Sequence, residues 1–326
     1  LDRKAPEYGR GNYNDFNTFY LQAASGTSGG SSGSPVVNIE GQVVALNAGA
    51  NNSAASSFFL PLDRIDRALR ELQKGNGVSR GTLQTIFRSE PYDELRRLGL
   101  TDESERIARE ANPRQTGMLT IEQAIPESEA YQVLAPGDIL IRVNGELVTQ
   151  FVPLEAILDS HVGEEIEIQV ERGGQRIDAT LHVDDLHAIT PAEYVEFGDA
   201  IVNQLSYQQA RHYNRKAEGV YVANPGYLLS RAAIPRGAVI VEMDGEPVST
   251  LDDFEAALAQ LADGERARVR YVTMENPQNS IVRLLEMDRV WFPTRRCARD
   301  DELGMWPCRD LEEGPAPAPL KASSTR

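Results

Sequence analysis

The sequence predicts a mainly β chain in which a small all-β segment is followed by two copies of one α+β module. Three observations carry this expectation. Short apolar runs rich in Val, Ile and Phe are broken by Gly and Ser across residues 16–60. One amphipathic helix over 62–74 ends that segment at a glycine. Downstream, a run beginning at Gly137 recurs one hundred residues later at Gly237.

The elements follow in order. Phe16-Asn17-Thr18-Phe19-Tyr20-Leu21 has strand character, and a Ser/Gly stretch over 25–34 follows it. Pro35-Val36-Val37-Asn38-Ile39 and Gln42-Val43-Val44-Ala45-Leu46 flank Glu40-Gly41, which reads as a hairpin. Phe58-Phe59-Leu60 is a further strand. In the helix over 62–74, Leu62, Ile65, Leu69 and Leu72 share one face, with Pro61 before it and Gly75 after it. Gly75-Asn76-Gly77 then reads as a hinge.

The repeat aligns Gly137-Asp138-Ile139-Leu140-Ile141-Arg142-Val143-Asn144-Gly145-Glu146 with Gly237-Ala238-Val239-Ile240-Val241-Glu242-Met243-Asp244-Gly245-Glu246. Each copy is an apolar strand entering an Asn-Gly or Asp-Gly turn. A helix follows, over 153–158 or 251–261, then Gly-Glu and an alternating strand over 165–170 or 266–272. A period this long exceeds a solenoid unit, so two tandem domains are expected. The expected boundaries are 1–76 for the first segment, 77–186 and 187–291 for the copies, and 292–326 for a Pro/Ala-rich tail.

The formal net charge of −16 opposes binding to phosphate backbones and anionic lipid, so nucleic acid and membrane surfaces are excluded as partners. No stretch approaches the ~18 apolar residues of a membrane helix. Cys297 and Cys308 have no nearby histidines for a zinc site, so neither metal nor cofactor is expected. The two are expected as reduced thiols.

The Ser/Gly stretch reads either as a flexible loop or as a nucleophile loop. Gly26-Thr27-Ser28-Gly29-Gly30 and Gly30-Ser31-Ser32-Gly33-Ser34-Pro35 each place a serine two residues after a glycine. Glycine there lets a backbone N–H turn inward beside the serine's own N–H, and the pair would form an oxyanion hole. Ser28 also satisfies the Gly-x-Ser-x-Gly elbow, but that motif joins a strand to a helix, and here a strand hairpin follows.

Several segments together resemble the fungal nuclear HtrA-like serine proteases. These are Pro6-Glu7-Tyr8-Gly9, Ser28-Gly29-Gly30-Ser31-Ser32-Gly33-Ser34-Pro35-Val36-Val37, Phe58-Phe59-Leu60-Pro61-Leu62-Asp63-Arg64, Pro91-Tyr92-Asp93-Glu94 and Asp185-Leu186-His187-Ala188-Ile189-Thr190-Pro191. The resemblance implies the C-terminal part of a chymotrypsin-like β-barrel protease domain followed by two PDZ-like domains. It selects Ser32 as the nucleophile, with the Gly30 and Ser32 amides as oxyanion donors. It implies that Asn47, Ala48 and Gly49 form the strand along which a substrate lies. It further implies an endopeptidase acting on unfolded or peptide substrates, linked to programmed cell death, in the nucleus and also the cytoplasm, and homo-oligomeric when complete.

A chymotrypsin-type triad runs His, Asp, Ser along the chain, yet all four histidines, His161, His182, His187 and His212, follow Ser32. The chain is therefore expected to be an N-terminally truncated piece, inactive by itself. The alternative is a non-catalytic scaffold whose PDZ modules recruit partners. The first module resembles HtrA PDZ domains at Arg80-Gly81-Thr82-Leu83-Gln84, where Gly81, Thr82, Leu83 and Gln84 would hold a peptide's C-terminal carboxylate. In the second, Glu196-Phe197-Gly198-Asp199 is expected as the matching loop, its two carboxylates repelling a ligand.

Overall fold

The computed structural model describes residues 2–4, 19–51 and 56–311. Phe16-Asn17-Thr18, the Pro6 motif and residues 312–326 of the expected tail lie outside the described residues. The chain forms two compact units, 1–189 and 190–326, so the first segment and the first module share one unit.

The first segment is a five-stranded antiparallel sheet. Its strands are β1 (Asp2–Lys4), β2 (Phe19–Ala23), β3 (Pro35–Val37), β4 (Val43–Asn51) and β5 (Ser56–Pro61), in the order β1-β2-β5-β4-β3. The expected hairpin is β3–β4, closed by Asn38, whose Oδ1 accepts from the Glu40 and Gln42 amides. Helix α1 (Leu62–Gln73) follows, as the periodicity predicts. The apolar faces here are only partly covered: Ala45 and Phe58 are buried, whereas Val37, Ile39, Leu69 and Leu72 are exposed.

The first module contains β6 (Gly81–Thr82), β7 (Thr85–Pro91), α2 (Tyr92–Leu98), α3 (Asp102–Ala111), β8 (Gly117–Ala124) and α4 (Glu129–Val133). It continues with β9 (Ile139–Val143), β10 (Glu146–Leu147), α5 (Phe151–Ser160), β11 (Glu165–Arg172), β12 (Gln175–His182) and β13 (Asp184–Asp185). The sheet runs β12-β11-β9-β8-β7, β10 pairs β9, and β6 pairs β13 apart from it. Leu83, Phe87, Leu140, Leu154 and Ile168 belong to the core that the alternating strands and the α5 face enclose.

The second unit repeats this plan. Its elements are β14 (Glu193–Phe197), β15 (Ala200–Gln204), α6 (Tyr207–His212), β16 (Val220–Asn224), α7 (Gly226–Arg231), β17 (Ala238–Met243) and β18 (Glu246–Pro247). After them come α8 (Leu251–Ala259), β19 (Arg266–Thr273), β20 (Ile281–Glu286), β21 (Arg295–Ala298) and β22 (Cys308–Asp310). The order β20-β19-β17-β16-β15 matches β12-β11-β9-β8-β7 strand for strand, and β18 pairs β17 as β10 pairs β9.

The repeat extends to single hydrogen bonds. Asn144 N donates to Glu167 O and its Oδ1 accepts from Glu167 N; Asp244 does the same with Arg268, all four bonds being 2.8 Å. Both turn pairs, Asn144-Gly145 and Asp244-Gly245, have positive φ, as a tight hairpin requires.

Residues expected as tail behave otherwise from 295 onward. β21 joins the sheet against β14, and β22 pairs β21 with Cys297 facing Cys308. The expectation of reduced thiols is corrected: the two cysteines form a disulfide. Cys297 is fully buried, and Arg295 and Arg296 beside it find carboxylate partners on β14. Polar composition hid a strand whose charges are neutralised in place. Among the described residues no helix is long and apolar enough to cross a membrane.

Candidate functional site

The serine loop leaves β2 at Ala23 and re-enters the sheet at Pro35. Its entry is fixed by Ser57, fully buried on β5, whose hydroxyl donates to Ser25 O at 2.7 Å. Ser31 Oγ donates to Ser28 O at 2.6 Å, tightening the turn before Ser32. Gly30 has φ +95, a conformation that disfavours any residue with a Cβ.

Asn47 on β4 holds both flanks of Ser32. Its Nδ2 donates to Ser31 O at 2.8 Å and reaches Ser31 Oγ at 3.1 Å. Its carbonyl accepts from Gly33 N at 2.7 Å, and its N–H donates to Ser34 O at 2.9 Å. Ser32 itself is exposed, and its hydroxyl makes no hydrogen bond among the described residues. The local sequence does not reveal this anchoring by Asn47, which the resemblance places on the substrate strand. A polar residue inside an otherwise apolar run, Val43-Val44-Ala45-Leu46-Asn47, was the available signal.

Ala48 is the extra residue of a β-bulge, since Asn47 faces Phe59 and Gly49 faces Phe58. Bulges re-aim a strand and end its pairing on one side. β3 covers β4 only between Val43 and Leu46, so among the described strands only β5 pairs with Gly49–Asn51. Asn47 has both peptide groups committed to the serine loop, and the open stretch begins after it.

The loop 80–84 is built around Asp159, at the end of α5. Gly81 N donates to Asp159 Oδ1 at 2.9 Å and Arg80 Nε lies 3.1 Å from the same atom. From α1, Arg67 donates to Asp159 O at 2.6 Å and to Ser79 O at 3.0 Å. Burial pushes the Asp159 carboxyl up, against the pull of Arg80, the Gly81 amide and Arg67. Gly81 must lack a side chain, because a Cβ there would sit 2.1 Å from Leu158 O. Thr82 and Leu83 are buried, and Gln84 turns the chain at φ 52 with its N–H on Thr82 Oγ1 at 3.0 Å. Two of the four predicted amides, those of Gly81 and Gln84, are thus taken internally. Beyond Gln84 the chain enters β7, which has a described strand partner on its β8 side alone.

The matching loop expected at Glu196-Phe197-Gly198-Asp199 is corrected. Gly198 and Asp199, with φ 55 and 63, form a tight hairpin turn between β14 and β15. Phe197 is fully buried against Phe254, and Arg295 Nε lies 2.9 Å from Glu196 Oε2. Glu196 is thus ion-paired and Asp199 is exposed on the turn.

Among the described residues no cluster of His, Cys, Asp and Glu could hold a metal ion.

The chain is similar to several known proteins. The PDZ-like domain family matches residues 188–264, all but the first two of them in the second unit. Protease Do-like 7 of Arabidopsis thaliana is 44% identical over 332 residues, covering 98% of this chain and 30% of that protein. Pro-apoptotic serine protease NMA111 of Coccidioides immitis is 47% identical over 320 residues, covering 98% of this chain and 31% of that protein. Among solved structures, the HtrA-type protease AlgW with decapeptide aligns at TM-score 0.36 and 19% identity, over 53% of this chain and 52% of that one. The chain spans less than a third of the length of the curated relatives it matches. Along 98% of its own length, the chain is similar to part of proteins named as pro-apoptotic serine proteases.

Proposed function

We propose that this chain is the nucleophile-bearing portion of an HtrA-type serine endopeptidase together with its two PDZ-like modules. Ser32 Oγ attacks a substrate peptide carbonyl, and the Gly30 and Ser32 amides donate to the oxyanion that forms. A histidine supplied by sequence preceding this chain in the longer protein takes the Ser32 proton and returns it to the leaving amine, and an aspartate from the same region orients that histidine. The observation that carries the reading is the loop itself: an exposed Ser32 whose two flanks are both bonded to Asn47, two residues after a glycine at φ +95.

Unfolded protein or peptide would lie along Ala48–Gly49, where β4 has left β3. Peptides with free C-termini would add to the edge of β7, with the loop 81–84 at their carboxylate end. The names of the relatives support a role in programmed cell death, and the nucleus is the compartment proposed with it. The longer protein is proposed to self-associate.

Residues 1–326 alone are proposed to be inactive, because no histidine precedes Ser32. In the longer protein, Ser32→Ala should abolish casein cleavage while Ser28→Ala leaves most of it. Cleavage that survives Ser32→Ala would favour the non-catalytic scaffold instead. Ser32-dependent turnover by residues 1–326 alone would overturn the missing base.

A further inference from the structure

The two modules share one plan, yet they differ at the strand edge where a peptide could add. In the first, β6 pairs only with β13 among the described strands, and Leu83 and Gln84 carry the chain away before β7 begins. In the second, β14 stands where β6 stands: it precedes the matching strand and pairs with the module's late strand β21. The connection to β15 is also two residues, Gly198-Asp199, but both have positive φ, so β14 folds straight back and pairs with β15 along four residues, Tyr194 facing Asn203 through to Phe197 facing Ala200.

We infer that Glu193–Phe197 is the built-in occupant of the second module's peptide edge, so that extended peptides are taken by the first module alone. The inference rests on the proposed peptide reading of β7 only for its contrast between modules. An added strand gains affinity from main-chain hydrogen bonds to an open edge and selectivity from pockets for alternate side chains. Both are already used in the second module. β14 bonds to β15 on one side and β21 on the other, which leaves no edge. The side-chain position facing α8 is filled by Phe197, fully buried with its ring 5.3 Å from that of Phe254.

The occupant is also fastened electrostatically. Arg296 bonds to Glu193 on β14 and to Asp252 and Glu255 on α8, tying the strand to the helix it lies beside. Arg295 bonds to Glu196. A peptide would have to displace a covalently tethered strand, whose effective concentration is far above that of a free ligand.

Hydrogen–deuterium exchange on residues 1–326 tests this, with and without an acetylated decapeptide ending in Ala-Val-Val and a free carboxylate. Without peptide, the amides of 201–204 should exchange at least about 100-fold more slowly than the amides of 86–90 that face away from β8. Peptide should slow 86–90 and leave 193–204 unchanged. Rapid exchange across 193–204 would overturn the inference, as would slowing of 201–204 by peptide or release of 193–197 on its addition. If peptide slows neither strand while 201–204 stay protected, the closed edge stands and the peptide reading of β7 fails.

Discussion

Replacing Asp159 tests the junction between the serine segment and the first module. The Asp159 side chain is 4% exposed and lies within reach of Arg80 at 19% and Arg67 at 27% exposure. It also accepts the Gly81 amide. Asp159→Ala takes the shared carboxylate from Arg67 and Arg80, leaving Arg80 with Glu155 at 3.9 Å, and leaves one backbone N–H without its acceptor. Removing one member of a buried charge pair costs about 3–5 kcal/mol, and the partial exposure of both arginines reduces this to about 2–4 kcal/mol here. Asp159→Asn keeps an acceptor for Gly81 and should cost about half as much.

The pH dependence follows from the raised carboxyl. A carboxyl held above its unfolded value binds its proton more tightly in the folded state. Its proton-linked contribution is therefore greatest below the ordinary carboxylate range and declines as pH rises through the raised value. Asn mimics the protonated form, so its deficit relative to wild type should narrow, not widen, from pH 4 to pH 7. Urea denaturation followed by circular dichroism reads all three proteins; with slopes of ~1–3 kcal/mol/M, Asp159→Ala should shift the midpoint by about 1–2 M. A shift equivalent to under about 0.5 kcal/mol for Asp159→Ala, the range of an ordinary surface substitution, would refute the reasoning.

Two further outcomes are expected. Cys308→Ser should lower the stability of the second unit by about 2–3 kcal/mol, since the disulfide closes a short loop between β21 and β22; dithiothreitol should do the same to the wild type and nothing to the variant. Glu105, bonded to Arg96 and Arg109, is held below the ordinary carboxylate range chiefly by the Arg96 hydrogen bonds. Its contribution is present above that range and lost as pH falls through the lowered value, so Glu105→Gln should be less stable than wild type at pH 7 and equal to it near pH 2 in thermal melts.

Much of this was legible because local rules and tertiary context agree. The Asn144-Gly145 and Asp244-Gly245 turns, the α1 face and the strands before each turn obey simple periodicities. The serine loop was legible as a motif. What held it was not: Asn47 and Ser57 act from strands distant in sequence. Asp159 was equally hidden, because an acid near a helix end reads as solvated until the fold brings Arg67 and Arg80 to it. The repeat held one clue, since Asp159 aligns with Ala259 and the second module has no loop there to anchor. β14 and β21 were missed because their arginines and glutamates resemble a solvated segment, and only pairing reveals that each charge has its partner.

The most direct test of the central claim is to label the longer protein with a fluorophosphonate and map the modified serine by mass spectrometry. The account predicts a single adduct on Ser32, lost in Ser32→Ala and retained in Ser28→Ala. An adduct on Ser28, or none on a preparation that cleaves casein, would contradict it.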